Sequence, residues 1–195
     1  MTAAVRAVRG VDVPAPGPWV IDPGHAEVAF VGRHFMLTRV RGRFTRLHGV
    51  VEVGEDPRDS SVEVTIDMAS VDSGSADRDE HLRSPELFDV ERFPEATFRS
   101  TAIAWDGPRA EVRGELTIKG TTRPVILEVG YLGSVEDPWG NDRAIFSASA
   151  VINREDWGVS WNLPLASGGL VASRDIRIEI EVETVRSPVS TPGTE

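Results

Sequence analysis

The chain has 195 residues, with 21 Lys+Arg against 31 Asp+Glu, a formal net charge of −10, and 40% hydrophobic and 27% charged residues. These proportions describe a folded soluble domain rather than a disordered chain, and the acidic balance excludes general nucleic-acid binding. Cysteine is absent, which excludes disulfide scaffolds, thiolate nucleophiles and Cys-ligated zinc or iron–sulfur centres.

Residues 1–17 carry Arg6 and Arg9 without a following apolar stretch, then Pro14-Ala15-Pro16-Gly17-Pro18. They read as a flexible arm, not a secretion signal, and a cytoplasmic location follows as the expectation. From residue 18 to 186 the dominant period is two. Val62, Val64, Ile66 and Met68 alternate with Glu63, Thr65 and Asp67, and Ile176, Ile178, Ile180 and Val182 alternate with Arg177, Glu179 and Glu181. Val125, Leu127, Val129 and Tyr131 share one face, as do Val112, Leu116 and Ile118 with Gly114 between them. Alternation of this kind marks strands with one buried face. Turn residues divide the chain into predicted strands near 18–22, 26–34, 40–53, 61–70, 96–106, 109–118, 124–132, 143–154 and 170–184. The long connection 72–95 is expected to hold one or two short helices. Residues 187–195 read as a disordered tail. The fold class is therefore all-β, one domain, an antiparallel barrel or sandwich.

Enzyme signatures are missing: there is no nucleophile elbow, phosphate-binding loop, dinucleotide fingerprint or His-Glu-x-x-His. The four histidines, His25, His34, His48 and His81, have no helical metal-pair spacing, so neither metal nor cofactor is expected. The cluster Asp77, Asp79, Glu80 and His81 fits general acid/base work, but fits better a short helix with an aspartate cap and acids at its positive end. Residues 1–50 hold seven arginines and three acids, and no acid lies between Glu27 and Glu52. Arg39, Arg41 and Arg43 share one strand face: a solvated outer face, or a patch for an anionic head group or an anionic membrane surface. Val28, Phe30, Gly32 and His34 point the other way from the alternate residues of their strand.

Several segments together resemble the YceI family of lipocalin-like, polyisoprenoid-binding proteins. They are Trp19 to His25 with Phe30 and Arg33-His34; Val40-Arg41-Gly42-Arg43-Phe44; Arg78-Asp79-Glu80-His81-Leu82-Arg83-Ser84; Leu87-Phe88-Asp89 and Phe93 to Phe98; Gly114 to Gly120; Asp137-Pro138-Trp139-Gly140; and Asn153-Arg154-Glu155-Asp156-Trp157-Gly158. The resemblance implies an extended lipocalin-like barrel of about eight strands. It also implies an apolar tunnel for an isoprenoid chain, such as that of a polyprenyl phosphate or quinone. On that basis Phe30 and His34 are expected to line the tunnel, joined by Phe44, Phe98, Trp105, Leu116, Trp157 and Trp161. Leu82, Leu87 and Phe88 are expected to close one mouth, and Arg78, Asp79 and His81 to tie the helix to the barrel. The expected function is a non-catalytic carrier of a polyisoprenoid or similar lipid. Alternatives are an enzyme acting on an apolar substrate inside the barrel and a stress-related binder of diverse apolar compounds. The resemblance also leaves a homodimer open. Gly32 departs from the family by standing where a larger apolar residue is usual.

Overall fold

The period-two segments become strands whose apolar faces turn to a common interior. The computed structural model describes residues 4–166 and 169–187. In chain order the elements are β1 (Val5–Val8), β2 (Val11–Pro14), β3 (Gly17–His34), β4 (Thr38–Phe44), β5 (Leu47–Val53), β6 (Ser61–Asp67), β7 (Val71–Asp72), α1 (Ala76–Arg83), β8 (Glu95–Asp106), β9 (Arg109–Ile118), β10 (Thr121–Glu136), β11 (Asp142–Asn153) and β12 (Asp175–Arg186). The main sheet runs β12-β11-β10-β9-β8-β6-β5-β3-β4-β7, every pair antiparallel, and β12 also pairs with β3. That last pairing closes the sheet and removes its long edges. With β4 and β5 counted as two pieces of one wall strand, the barrel has eight strands, as the all-β reading expects.

Several strand boundaries differ from expectation, two of them because a strand can bulge or break without leaving the sheet. The segments 18–22 and 26–34 are one strand, β3. Its partner register jumps from Val182↔Ala26 to Thr184↔Ile21, so four residues bulge opposite one. Pro23 has no N–H for the ladder, and Asp22 Oδ1 accepts from Gly24 N at 3.0 Å, which holds the bulge. Conversely, 40–53 is two strands. At the break, Thr45 N and Arg46 N donate to Ser70 Oγ at 3.1 and 3.0 Å instead of to β3. The end half of β3 pairs with β4, and its first half with β5.

Residues 5–14, expected within a flexible arm, form a β-hairpin. Arg9 and Gly10 make its two-residue turn, both at positive φ, and the tight turn matches strand twist. The hairpin is docked: Ala4 N donates to Asp142 Oδ1 at 2.9 Å, Arg6 Nη2 donates to Gly54 O, and Val13 is buried. The connection 72–95 contains one α-helix, α1. The last strand begins at Asp175 rather than 170; before it, the described residues of 161–174 carry the isolated bridges Pro164↔Leu170 and His34↔Ala172. Of the tail expected at 187–195, residues 188–195 lie outside the described residues.

The interior is lined by rings laid flat on glycines. Phe30 on β3 lies over Gly42 on β4, and Phe98 on β8 over Gly114 on β9. The three atoms nearest a methyl at 42 would all belong to the Phe30 ring, a side chain that can swing inward. A methyl at 114 would also meet the Arg99 carbonyl oxygen at 2.6 Å, and that atom is fixed in the ladder. Gly114→Ala is therefore expected to lose about 1–3 kcal/mol of stability in urea denaturation, clearly more than Gly42→Ala. Equal losses would mean that the backbone at Arg99 yields as easily as a ring.

Candidate ligand-binding site

The barrel wall encloses a cavity of about 710 Å³, within the ~300–1,000 Å³ range of small-molecule sites. Every wall strand contributes alternate residues: Phe30 from β3, Val64 from β6, Leu116 from β9, Leu127 from β10, Ala148 from β11 and Ile178 from β12 are examples. This is the period-two pattern of the sequence turned inward. All eleven residues expected at the site, Phe30, His34, Phe44, Leu82, Leu87, Phe88, Phe98, Trp105, Leu116, Trp157 and Trp161, form part of the cavity wall. Phe44 bridges two of them, with its ring centroid 5.7 Å from Phe30 and 5.8 Å from Phe88. Trp157 is fixed by its indole N–H, which donates to Leu116 O at 2.9 Å.

The two ends of the cavity differ. At one end β2 supplies Val13 and Pro14, and Trp105, Arg109 and Tyr131 lie nearby in the wall. Burial pushes the Tyr131 phenol up, and its hydroxyl hydrogen-bonds Ser134 Oγ at 2.7 Å. At the other end lie His34, α1, Trp161 and Val171, with Ser75, Asp77, Arg78, His81, Arg154 and Ser173. The titratable lining inverts the charge of the protein. The arginines Arg78, Arg109 and Arg154, but a single carboxylate, Asp77, are in the lining, although the whole chain carries −10.

Arg154 is the outlying member. It is buried, its Nε donates to Ser173 O at 2.9 Å and its Nη1 to Val159 O at 2.6 Å. Its Nη2 has no hydrogen-bond partner, and it makes no ion pair among the described residues. Burial pushes its pKa down. A buried donor left unsatisfied costs about 1–3 kcal/mol, and more when charged. Sequence reasoning missed this residue. It sits inside the quoted Asn153 to Gly158 segment, but an arginine between an asparagine and two acids reads as surface until the chain around it is folded.

The acidic cluster of α1 is a tether. Asp79 is buried, and its Oδ1 accepts from Ser73 N at 2.8 Å and Ser73 Oγ at 2.5 Å. Arg78 donates to Ser73 O at 2.7 Å, and Arg83 to Ala69 O and Val71 O at 2.9 and 2.7 Å. The expected aspartate cap is absent: Ser75 holds the N-cap position, without a side-chain cap bond. His81 hydrogen-bonds Glu86 at 2.8 Å and meets the Trp161 ring edge-on at 4.5 Å. Lys119 Nζ adds a bond to Pro85 O at 3.0 Å.

Other motif residues lie away from the cavity. Arg143 Nη1 donates to Asp22 Oδ2 at 2.7 Å and Glu183 Oε2 at 3.1 Å, and its Nε to Asp137 Oδ2 at 2.9 Å. The Arg143 guanidinium, followed by His25, lowers Asp22 to about 2. Asn141, with help from Arg143, holds Asp137 well below the usual carboxylate range. This knot pins the β3 bulge to the β10–β11 turn. On the outer face of β4, Arg41 pairs with Glu27 and Glu179, and Arg43 with Glu27 and Asp72. Arg39 makes no ion pair among the described residues.

No helix among the described residues is long and apolar enough to cross a membrane, and no group of three or more potential metal ligands occurs among them. The family model described as a YceI-like domain matches residues 19–184. A protein of Pectobacterium atrosepticum designated UPF0312 is 38% identical over 163 residues, 83% of this chain and 82% of its own length. Protein YceI of Salmonella newport is 37% identical over the same shares. Among solved structures, Burkholderia cenocepacia BcnA superposes with a TM-score of 0.73 at 24% identity, covering 84% of this chain and 98% of its own. A polyisoprenoid binding domain from Saccharophagus degradans superposes at 0.64 and 17% identity, covering 88% and 99%. The barrel fold is thus shared with these solved structures, and the chain belongs to the YceI-like family.

Proposed function

We propose that the protein is a non-catalytic carrier that holds a long apolar lipid, an isoprenoid chain with an oxygen-bearing head, inside the barrel. The observation that carries this reading is the cavity itself: an apolar lumen with its unsatisfied donor, Arg154 Nη2, confined to one end. Burying a CH₂ gains about 0.8 kcal/mol, so a long chain needs no covalent attachment to stay. A phosphate or quinone oxygen at the helix end would supply the acceptor that Arg154 lacks. The Saccharophagus degradans relative, described as polyisoprenoid-binding, supports the same ligand class. An enzyme reading would be favoured by His34 paired with a carboxylate, but the His34 ring lies tilted against Phe35, centroids 3.8 Å apart, and has no carboxylate partner among the described residues.

Organic extraction of natively expressed protein followed by mass spectrometry tests the proposal. A stoichiometric polyprenyl compound is expected, and its mass identifies chain and head. Protein that is empty and also refuses added quinone and polyprenyl phosphate would overturn it.

A further inference from the structure

Large apolar side chains stand in solvent at the helix end of the barrel. Leu37 is 79% exposed, Leu163 53%, Met36 49% and Phe35 46%. The first, third and fourth form the tip of the β3–β4 hairpin. Both parts of the group are stitched to Val171: Phe35 N donates to Val171 O at 2.8 Å, and Val171 N to Leu163 O at 3.0 Å. Phe35 and Met36 adopt left-handed conformations, φ 53° and 60°. Bulky residues take that conformation reluctantly, and a tight hairpin tip ordinarily uses Asn or Gly there. Here it presents apolar side chains to water at a cost in backbone energy.

The surroundings are cationic. Arg33 and Arg39 sit directly opposite each other across the hairpin, both exposed, and neither makes an ion pair among the described residues. Like charges placed so destabilise a hairpin and bring nothing to the isolated molecule. Their neighbours Arg41 and Arg43 are neutralised by Glu27, Glu179 and Asp72. The sequence from 28 to 51 contains no acid, in a chain of net charge −10. A contrasting exposed side chain, Trp139, lies at the opposite end between Glu136 and Asp142.

We propose that the Phe35-Met36-Leu37 tip, with Leu163, is a docking point for the surface of an anionic lipid bilayer. The apolar side chains would enter the interface while Arg33 and Arg39 meet lipid phosphates. Charge complementarity selects this partner over a second copy of the chain, which would bring two unpaired arginine pairs together. The tip is continuous with the cavity: His34, which precedes it, and Val171, to which it is bonded, both form part of the wall. Docking therefore sets the helix end of the lumen against the bilayer. This goes beyond the carrier reading and stands or falls separately from the identity of the ligand.

The test is co-sedimentation of the full chain with phosphatidylcholine vesicles, with and without phosphatidylglycerol. Wild type is expected to bind the anionic vesicles and to be released by salt. Met36→Ser with Leu37→Asp is expected to lower binding roughly tenfold or more. Arg33→Gln with Arg39→Gln is expected to lower it roughly thirtyfold at low salt. Circular dichroism and the extracted ligand content of each variant should match wild type, which separates lost docking from lost folding. Wild type that ignores both vesicle types would overturn the proposal. So would tip variants that bind like wild type, or that lose only a concentration-dependent dimer. An empty barrel that still binds anionic vesicles would overturn the carrier reading and leave docking intact.

Discussion

Ala148→Trp is expected to empty the barrel while leaving it folded. Strand β11 shows Phe146, Ala148, Ala150 and Ile152 to the lumen, so its two alanines are the low part of that wall. Ala148 lies opposite Val129 on β10 and Ile180 on β12, both also in the lining. An indole at 148 projects across the space that a chain must thread, and it replaces void by apolar contact. Overfilling a packed core costs about 1–3 kcal/mol, but a site facing a void of this kind should cost less. Ligand recovered by extraction should fall by roughly tenfold or more, the equivalent of about 1.4 kcal/mol or more in binding. Thermal unfolding of ligand-free protein should change little. A variant that keeps its full ligand load would mean that the chain does not run past Ala148.

Trp19→Ala is expected to give the largest loss of stability. Trp19 is fully buried at the start of β3, paired with Val51 and Arg186 on its neighbouring strands. Its indole N–H donates to Ala15 O at 2.9 Å, the point where the amino-terminal hairpin joins the barrel. Truncating a buried Trp costs about 3–5 kcal/mol through lost burial and the cavity left behind. The loss should also loosen the hairpin, so tryptic cleavage after Arg9, exposed at the hairpin turn, should accelerate. Trp139→Ala is the natural control. That side chain is largely in solvent, and its removal should stay within about 0.5 kcal/mol. Equal effects of the two substitutions in guanidinium denaturation would contradict this account of the core.

Periodicity made the barrel legible. The alternating runs 62–66, 112–118, 125–131 and 176–182 are wall strands with their apolar side inward. Strand ends were less legible, because a bulge at Pro23 and a break at Thr45 depend on partners far along the chain, β12 and Ser70. The hairpin 5–14 escaped notice because each of its strands has four residues and their stability comes from docking on the barrel. The cavity-lining aromatics could be named from sequence, yet whether the barrel was filled or hollow could not. That depends on Phe30 and Phe98 lying flat over Gly42 and Gly114, an arrangement between strands. Arg154 was hidden for the opposite reason: its neighbours in sequence are polar, and its neighbours in space are Ser173 and Val159.

The docked hairpin makes the two ends of the lumen unequal. Val13 and Pro14 line one end, and the Trp19 indole donates to Ala15 O just behind them. For the carrier proposed above, a hairpin seated there would act as a floor, leaving the helix end as the door for a chain that enters tail-first. Such a floor would also be a ruler: a chain shorter than the depth would leave void at the bottom, and a longer one would leave its head standing outside.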